Sequence, residues 1–204
     1  IVGVTSTGHN PLRVTSTGTN AMWEGRDPNS EHIFHRFQAN YDLVKTLQME
    51  MVHGREFSRD FPSDATSFMV NEEMARVMNI ENPVGTRLRF GREGEIIGVV
   101  KNFHFQSLYT AIEPLIIRLD PVRTEFLFVR IAAGQTAEAI AGLEKAFKKF
   151  NPNTLFEFSF QDEQFESMYR NESTMGTLAT FFAILAIFIS CLGLFGLASF
   201  TAEQ

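Results

Sequence analysis

The C-terminal stretch LATFFAILAIFISCLGLFGLASF, residues 178–200, decides how the chain is organised. It lies within residues 173–202, which contain no Asp, Glu, Lys, Arg or His in a chain that is 21% charged overall. At about 1.5 Å per residue, a helix over residues 178–200 would extend about 35 Å, enough to cross a hydrocarbon core of roughly 30 Å. A buried core helix is usually shorter and apolar on one face, whereas this stretch is apolar all round. The sequence therefore predicts a soluble domain over residues 1–172 and a transmembrane helix over residues 173–204.

Charge and cysteine content exclude some classes of partner. The formal net charge is −6, from 24 acidic and 18 basic residues, which argues against a nucleic-acid surface. No basic cluster for anionic lipid accompanies the apolar segment. The single cysteine, Cys191, lies inside that segment, so an intrachain disulfide is impossible. Because the chain opens on Ile1 without an initiator Met, we expect it to be a piece of a longer protein.

Periodicity predicts an α+β (mixed α/β) fold for residues 1–172. Alternation and β-branched or aromatic content predict strands, and spacing at i, i+3 and i+4 predicts helices. The expected strands are 1–7, 32–39, 86–90, 95–100, 115–119, 125–131 and 154–160, and the expected helices are 41–48, 71–79, 136–150 and 161–171. Residues 9–30 are expected to form a loop, or a short strand around 12–17. Asn71, followed by Glu72 and Glu73, is a typical helix N-cap with acids in the first turn. Residues 125–160 form a βαβ-type unit, and the length suits one domain or two small subdomains.

Motifs for catalysis are missing from the sequence. No P-loop, GxGxxG, GxSxG, HExxH or CxxC occurs, which excludes ATP hydrolysis by this segment itself. His32 and His35 lie near Glu31, but residues three apart on a strand face opposite sides and cannot share a metal ion without a bulge. His104, between two phenylalanines, has no nucleophile or acid partner at a definable spacing. We therefore predict no catalytic, cofactor or metal site.

The predicted membrane helix carries a stripe of small side chains. Ala179, Ala183, Ala186, Ser190 and Gly193 recur at spacings of four, three, four and three. Such spacing places them on one helix face, where a second membrane helix can approach closely. We name these five residues the small-residue stripe and predict that it packs against another helix.

Three segments together resemble an ABC transporter permease of the MacB/FtsX type. They are VNEEMARVMNIENPVGTRLRF (residues 70–90), EIIGVVKNFHFQSLYTAIEPLII (95–117) and FFAILAIFISCLGLFGLASFTAEQ (181–204). Residues 1–172 resemble the later part of the extracytoplasmic MacB-like core domain. Residues 173–204 resemble the helix that opens the FtsX-like permease region.

The resemblance implies an architecture and a role. It implies two small α/β subdomains on the periplasmic side of a bacterial inner membrane, in a multi-pass protein that works as a homodimer or an internal pseudo-dimer. It also implies a non-catalytic subunit without cofactors, driven by a separate cytoplasmic ABC ATPase. The periplasmic domain would couple ATPase-driven helix motion to the handling or export of an unknown substrate or partner protein. Two alternatives stay open: the sensor domain of a membrane-anchored signalling receptor and, more weakly, an anchored hydrolase that uses His104.

Overall fold

The computed structural model describes residues 1–27, 29–107 and 110–202. The strands are β1 (Gly3–Thr7), β2 (Thr17–Gly18), β3 (Met22–Trp23), β4 (Phe34–Ala39), β5 (Met51–Gly54), β6 (Phe68–Asn71), β7 (Arg87–Arg89), β8 (Glu93–Val100), β9 (Leu115–Leu119) and β10 (Phe126–Arg130). The helices are α1 (Leu43–Leu47), α2 (Glu72–Met78), α3 (Thr136–Phe150) and α4 (Gln161–Ala202), with a 3-10 turn at Pro62–Ala65. Contacts divide the chain into two compact units, Ile1–Thr154 and Leu155–Gln204.

The first unit is built on one ten-stranded mixed sheet. Its order is β10-β1-β4-β9-β6-β8-β7-β3, with β2 paired to β4 and β5 paired to β8. The pairs β4–β9 and β6–β8 are parallel, and β7 and β8 form an antiparallel hairpin. Parallel neighbours need connections that cross over the sheet, and here the chain between β6 and β8 includes α2. The predicted α+β fold class is confirmed.

Apolar side chains cover both faces of the sheet. On β6 and β9, Phe68, Val70 and Ile116 belong to one buried cluster, while Met69 and Ile117 belong to the other. This alternation follows from the two-residue period of a strand. We call the first cluster the α2 face, because α2 packs on it, and the second the α1 face. The α2 face consists of Ala21, Trp23, Phe34, Phe68, Val70, Met74, Met78, Leu88, Phe90, Ile96, Val99 and Ile116.

Asn71 joins three elements at the centre of the fold. Its side chain is fully buried at the junction of β6 and α2. The amide oxygen accepts hydrogen bonds from the backbone N–H of Met74 and of Leu115, each at 2.9 Å. The amide nitrogen donates to the carbonyl oxygen of Glu113 at 2.9 Å. The predicted N-cap is confirmed, and the same side chain also holds the start of β9.

One predicted strand is wrong. Residues 154–160 are neither helix nor strand, although Leu155, Phe156 and Phe158 alternate as a strand would. A strand needs a neighbouring backbone to complete its hydrogen-bond ladder, and no described strand pairs with this segment. Leu155 is 77% exposed. An alternating pattern of apolar side chains is therefore not sufficient to place a segment in a sheet.

Helix α3 has the predicted bounds and an apolar face that the structure leaves uncovered. No residue of α3 is buried. Ile140, Leu143 and Phe147 are partly exposed, and Phe150 is 77% exposed. Burial against the sheet therefore contributes little to α3.

An ion pair with a buried carboxylate holds the loop between β5 and β6. The carboxylate of Asp64 is fully buried and receives two hydrogen bonds from Arg55, at 2.6 and 2.8 Å, and one from the Ser58 N–H at 2.9 Å. Burial opposes ionisation of Asp64, but the hydrogen bonds from Arg55 and Ser58 and the charge of Arg55 outweigh it, so the pKa of Asp64 lies below its ordinary value. The ionised carboxylate therefore stabilises the fold.

We expect Asn71→Ala to lower the free energy of unfolding by about 3 kcal/mol, because three buried hydrogen bonds are lost together. The change can be followed through the fluorescence of Trp23, the single tryptophan, during denaturant unfolding in detergent micelles. Asn82→Ala is the matched control, because the exposed Asn82 makes one hydrogen bond, to the Val84 N–H at 3.2 Å. Equal losses for the two variants would contradict the role of Asn71.

We expect Asp64→Asn to cost about 2 kcal/mol of stability at neutral pH, because Arg55 loses its charged partner. The pKa of Asp64 is lowered in the folded state, so its contribution is present above the ordinary value of 3.8 and is lost as the pH falls through the folded-state pKa. Unfolding midpoints of wild type and variant should therefore converge in acid.

The control for this pH series is Asp42→Asn, which removes an exposed ion pair with Arg59. Exposed pairs contribute little, so the control should follow the wild-type curve. A constant difference between wild type and Asp64→Asn down to the lowest pH would contradict the assignment.

Candidate functional site

Helix α4 is the candidate membrane helix. It runs without interruption for 42 residues, Gln161–Ala202, so the helix expected over residues 161–171 continues into the apolar segment. The segment Leu178–Phe195 of this helix has a mean hydropathy of 2.5, and none of it is buried. Among the described residues, α4 is the one helix long and apolar enough to cross a membrane. Glu203 and Gln204 of the predicted segment lie outside the described residues.

Large apolar side chains are exposed on most sides of α4. They include Leu178, Phe181, Phe182, Ile184, Leu185, Ile187, Phe188, Ile189, Leu192, Leu194 and Phe195. Contiguous apolar surface of this extent is not stable in water. The hydroxyl of Thr180 donates to the carbonyl oxygen of Gly176 at 2.9 Å, which satisfies it within the helix. Composition and exposure thus suit a hydrocarbon environment.

The small-residue stripe occupies one side of α4. At about 100° per residue, its five members fall within an arc of about 80° and extend about 21 Å along the axis. All five members of the stripe are exposed. Phe188 lies on the opposite side of the helix. The structure describes no helix packed on the stripe, so its partner stays a prediction.

The histidines considered for chemistry do not come together. His32 is exposed, whereas His35 is 3% exposed and its Nε2 lies 2.6 Å from the Glu113 carboxylate. Gln106 lies 3.2 Å from the same nitrogen. His104 is exposed. His35 thus ties β4 to the segment before β9, a contact that sequence alone did not indicate, and no group of three potential metal ligands occurs among the described residues.

Two open clefts lie on the first unit. One, of about 490 Å³, includes Asp42 and Arg59, which pair at 2.9 Å. The other, of about 560 Å³, includes Arg76, which pairs with Glu73 at 2.5 Å. In both clefts an arginine is thus paired with a carboxylate.

Known proteins resemble this chain in structure. No protein-family model matches the sequence, and comparison with curated protein sequences finds no match. The periplasmic region of MacB from Actinobacillus actinomycetemcomitans is similar with a TM-score of 0.55 and 13% identity, over 82% of this chain and 75% of that one. This chain has a MacB-like fold. The extracellular domain of YknZ, a noncanonic ABC-type transporter from Gram-positive bacteria, is similar to the MacB-like chain with a TM-score of 0.50 and 15% identity, over 74% of this chain and 76% of that one.

The likeness to MacB and YknZ establishes the fold of the MacB-like domain. It confirms, for the fold, the resemblance drawn from residues 70–90 and 95–117. The first similar structure is the periplasmic region of MacB, and the second is the extracellular domain of an ABC-type transporter. The MacB-like domain described here is joined in sequence to a candidate membrane helix.

The membrane assignment of α4 predicts thiol reactivity. In a Cys191→Ser background, we expect a water-soluble maleimide to label Ile187→Cys at least about tenfold more slowly than Asn153→Cys in liposomes, because the reactive thiolate is disfavoured in hydrocarbon. Ile187 is near the middle of the segment Leu178–Phe195, whereas Asn153 is exposed outside it. Unfolding both variants in denaturant should make their maleimide labelling rates equal. Equal rates in liposomes would contradict the assignment.

Proposed function

We propose that this chain belongs to the membrane-spanning permease subunit of an ABC transporter. The observation that carries the proposal is the combination of a MacB-like fold with a candidate membrane helix in one chain. A MacB-like fold alone would fit a free soluble domain. The candidate membrane helix supports the proposal that the domain works at a membrane surface.

In this role residues 1–172 lie on the periplasmic side of a bacterial inner membrane and handle a substrate or partner protein. The subunit is non-catalytic, and a separate cytoplasmic ABC ATPase supplies the energy. The sequence carries none of the phosphate-binding motifs that ATP hydrolysis requires. The natural protein is multi-pass and assembles as a homodimer or an internal pseudo-dimer.

The continuity of α4 supports a mechanical role. Residues 161–202 contain no proline, and one helix extends from the polar turn at Asp162 to the end of the apolar segment. An uninterrupted helix is stiff because every internal backbone hydrogen bond is kept. A displacement of the apolar part is therefore transmitted to the polar part.

The small-residue stripe supplies the contact through which α4 is moved. Small side chains let two helix backbones approach closely, and dispersion contacts then hold them together in lipid. The partner is another membrane helix of the same protein or of a second copy. A change in that contact, driven by the ATPase, would shift α4.

We expect the natural full-length protein, purified from its own membrane, to carry an ABC ATPase whose ATP hydrolysis depends on the permease. Ala186→Leu should reduce this dependent ATP hydrolysis, because a large side chain in the stripe separates the helices. Ile187→Leu is the matched control, because it preserves side-chain volume one position away from the stripe.

Mass spectrometry of the purified complex identifies the partner. Recovery of a signalling kinase in place of an ATPase would overturn the transporter proposal in favour of a receptor. Equal ATP hydrolysis with Ala186→Leu and Ile187→Leu would overturn the role of the stripe.

A further inference from the structure

Two arginine side chains, Arg36 on β4 and Arg118 on β9, are neighbours on the α2 face of the sheet. The strands are parallel, with Arg36 opposite Ile116 and Gln38 opposite Arg118. Arg36 and Arg118 are therefore diagonal neighbours on one face, at a separation of about 7 Å between their backbones. Both are only partly exposed.

A third arginine, Arg92, reaches the same place from the turn before β8. Its guanidinium lies 5.5 Å from the ring centre of Phe68, and Phe68 is directly opposite Arg118 in the register of β6 and β9. One of its terminal nitrogens donates to the carbonyl oxygen of Leu119 at 3.2 Å. We name Arg36, Arg92 and Arg118 the arginine cluster.

The arginine cluster has more positive charge than its surroundings neutralise. Asp120 pairs with Arg118 at 3.0 Å, and this is the one ion pair of the cluster among the described residues. Burial lowers the pKa of Arg36 and of Arg92, and the nearby charge of Arg118 lowers each pKa further. Three guanidiniums and one carboxylate leave an excess of two positive charges.

Some hydrogen-bond donors of the cluster are unpaired in the part of the chain that the structure describes. The Nε atoms of all three arginines are buried and have no partner among the described residues. The Arg36 guanidinium lies 4.7 Å from the ring centre of Phe90. Gln38 adds a buried amide oxygen to which no described residue donates. Buried polar groups are nearly always paired, so three unpaired N–H donors on positively charged groups indicate a missing acceptor.

We propose that the arginine cluster binds a phosphate group, either inorganic phosphate or a phosphate monoester. A phosphate carries a charge of about −1.5 to −2 at neutral pH, which matches the excess of the cluster, and offers several acceptor oxygens to planar guanidinium forks. A single carboxylate would neutralise half of that excess. A protonated phosphate oxygen could donate to Gln38. The proposal does not depend on the transporter function.

The test is phosphate binding by the whole chain in detergent micelles. Calorimetric titration with inorganic phosphate, against chloride at matched ionic strength, should give one site per chain. Arg36→Gln and Arg118→Gln should each weaken binding at least about tenfold, because charge-assisted hydrogen bonds to phosphate are lost. Arg87→Gln is the matched control, because Arg87 is exposed on β7 outside the cluster, and it should bind as wild type does.

Stability measurements separate binding from a structural role. In phosphate-free buffer, Arg36→Gln should unfold at the wild-type temperature or above, because it removes an unpaired buried charge. Added phosphate should then raise the unfolding temperature of wild type and of Arg87→Gln more than that of Arg36→Gln. No binding by wild type, or equal responses from all three proteins, would overturn the proposal.

Glycerol 3-phosphate distinguishes the two sources of the phosphate group. Tighter binding than inorganic phosphate assigns the cluster to a monoester, and equal or weaker binding assigns it to the free ion. Binding of neither compound overturns the proposal.

Discussion

The buried amide of Asn71 is the contact on which the arrangement of the sheet domain depends. It ends β6, caps α2 and fixes the start of β9 with three hydrogen bonds inside the core. Strands β6 and β9 contribute side chains to both faces of the sheet, so a fixed register between them aligns both apolar clusters. A hydrophobic residue of similar volume at position 71 would leave two backbone N–H groups without acceptors. Unpaired N–H groups are costly in the low polarity of the core.

Local signals in the sequence predicted a large part of this fold. The Asn-Glu-Glu pattern placed the start of α2, and the strand at 115–119 and the helix at 136–150 have the predicted bounds, because capping and periodicity act within a few residues. The two-residue strands β2 and β3 carry too short a pattern to predict. Residues 154–160 had the pattern of a strand without a partner, and pairing is a property of distant chain segments.

The candidate functional features also differ in whether local sequence can predict them. The small-residue stripe can be recognised from spacing, because one helix defines its face. The arginine cluster cannot, because Arg36, Arg92 and Arg118 meet only through strand register. A partial signal was present in LIIRL, where a single arginine stands in an otherwise apolar strand. Such a residue must either reach solvent or face another polar group, and its surroundings decide which.

The pairing of β1 with β10 sets the order in which this domain can form. Gly3 is opposite Arg130, so β1 has its long partner far along the chain. Its single pair with β4, Thr7 opposite Ala39, gives little stability earlier. Contacts between distant chain segments slow folding, and an unpaired strand invites pairing with other chains. Strand β1 therefore has to stay accessible, and protected from aggregation, until β10 has emerged from the ribosome.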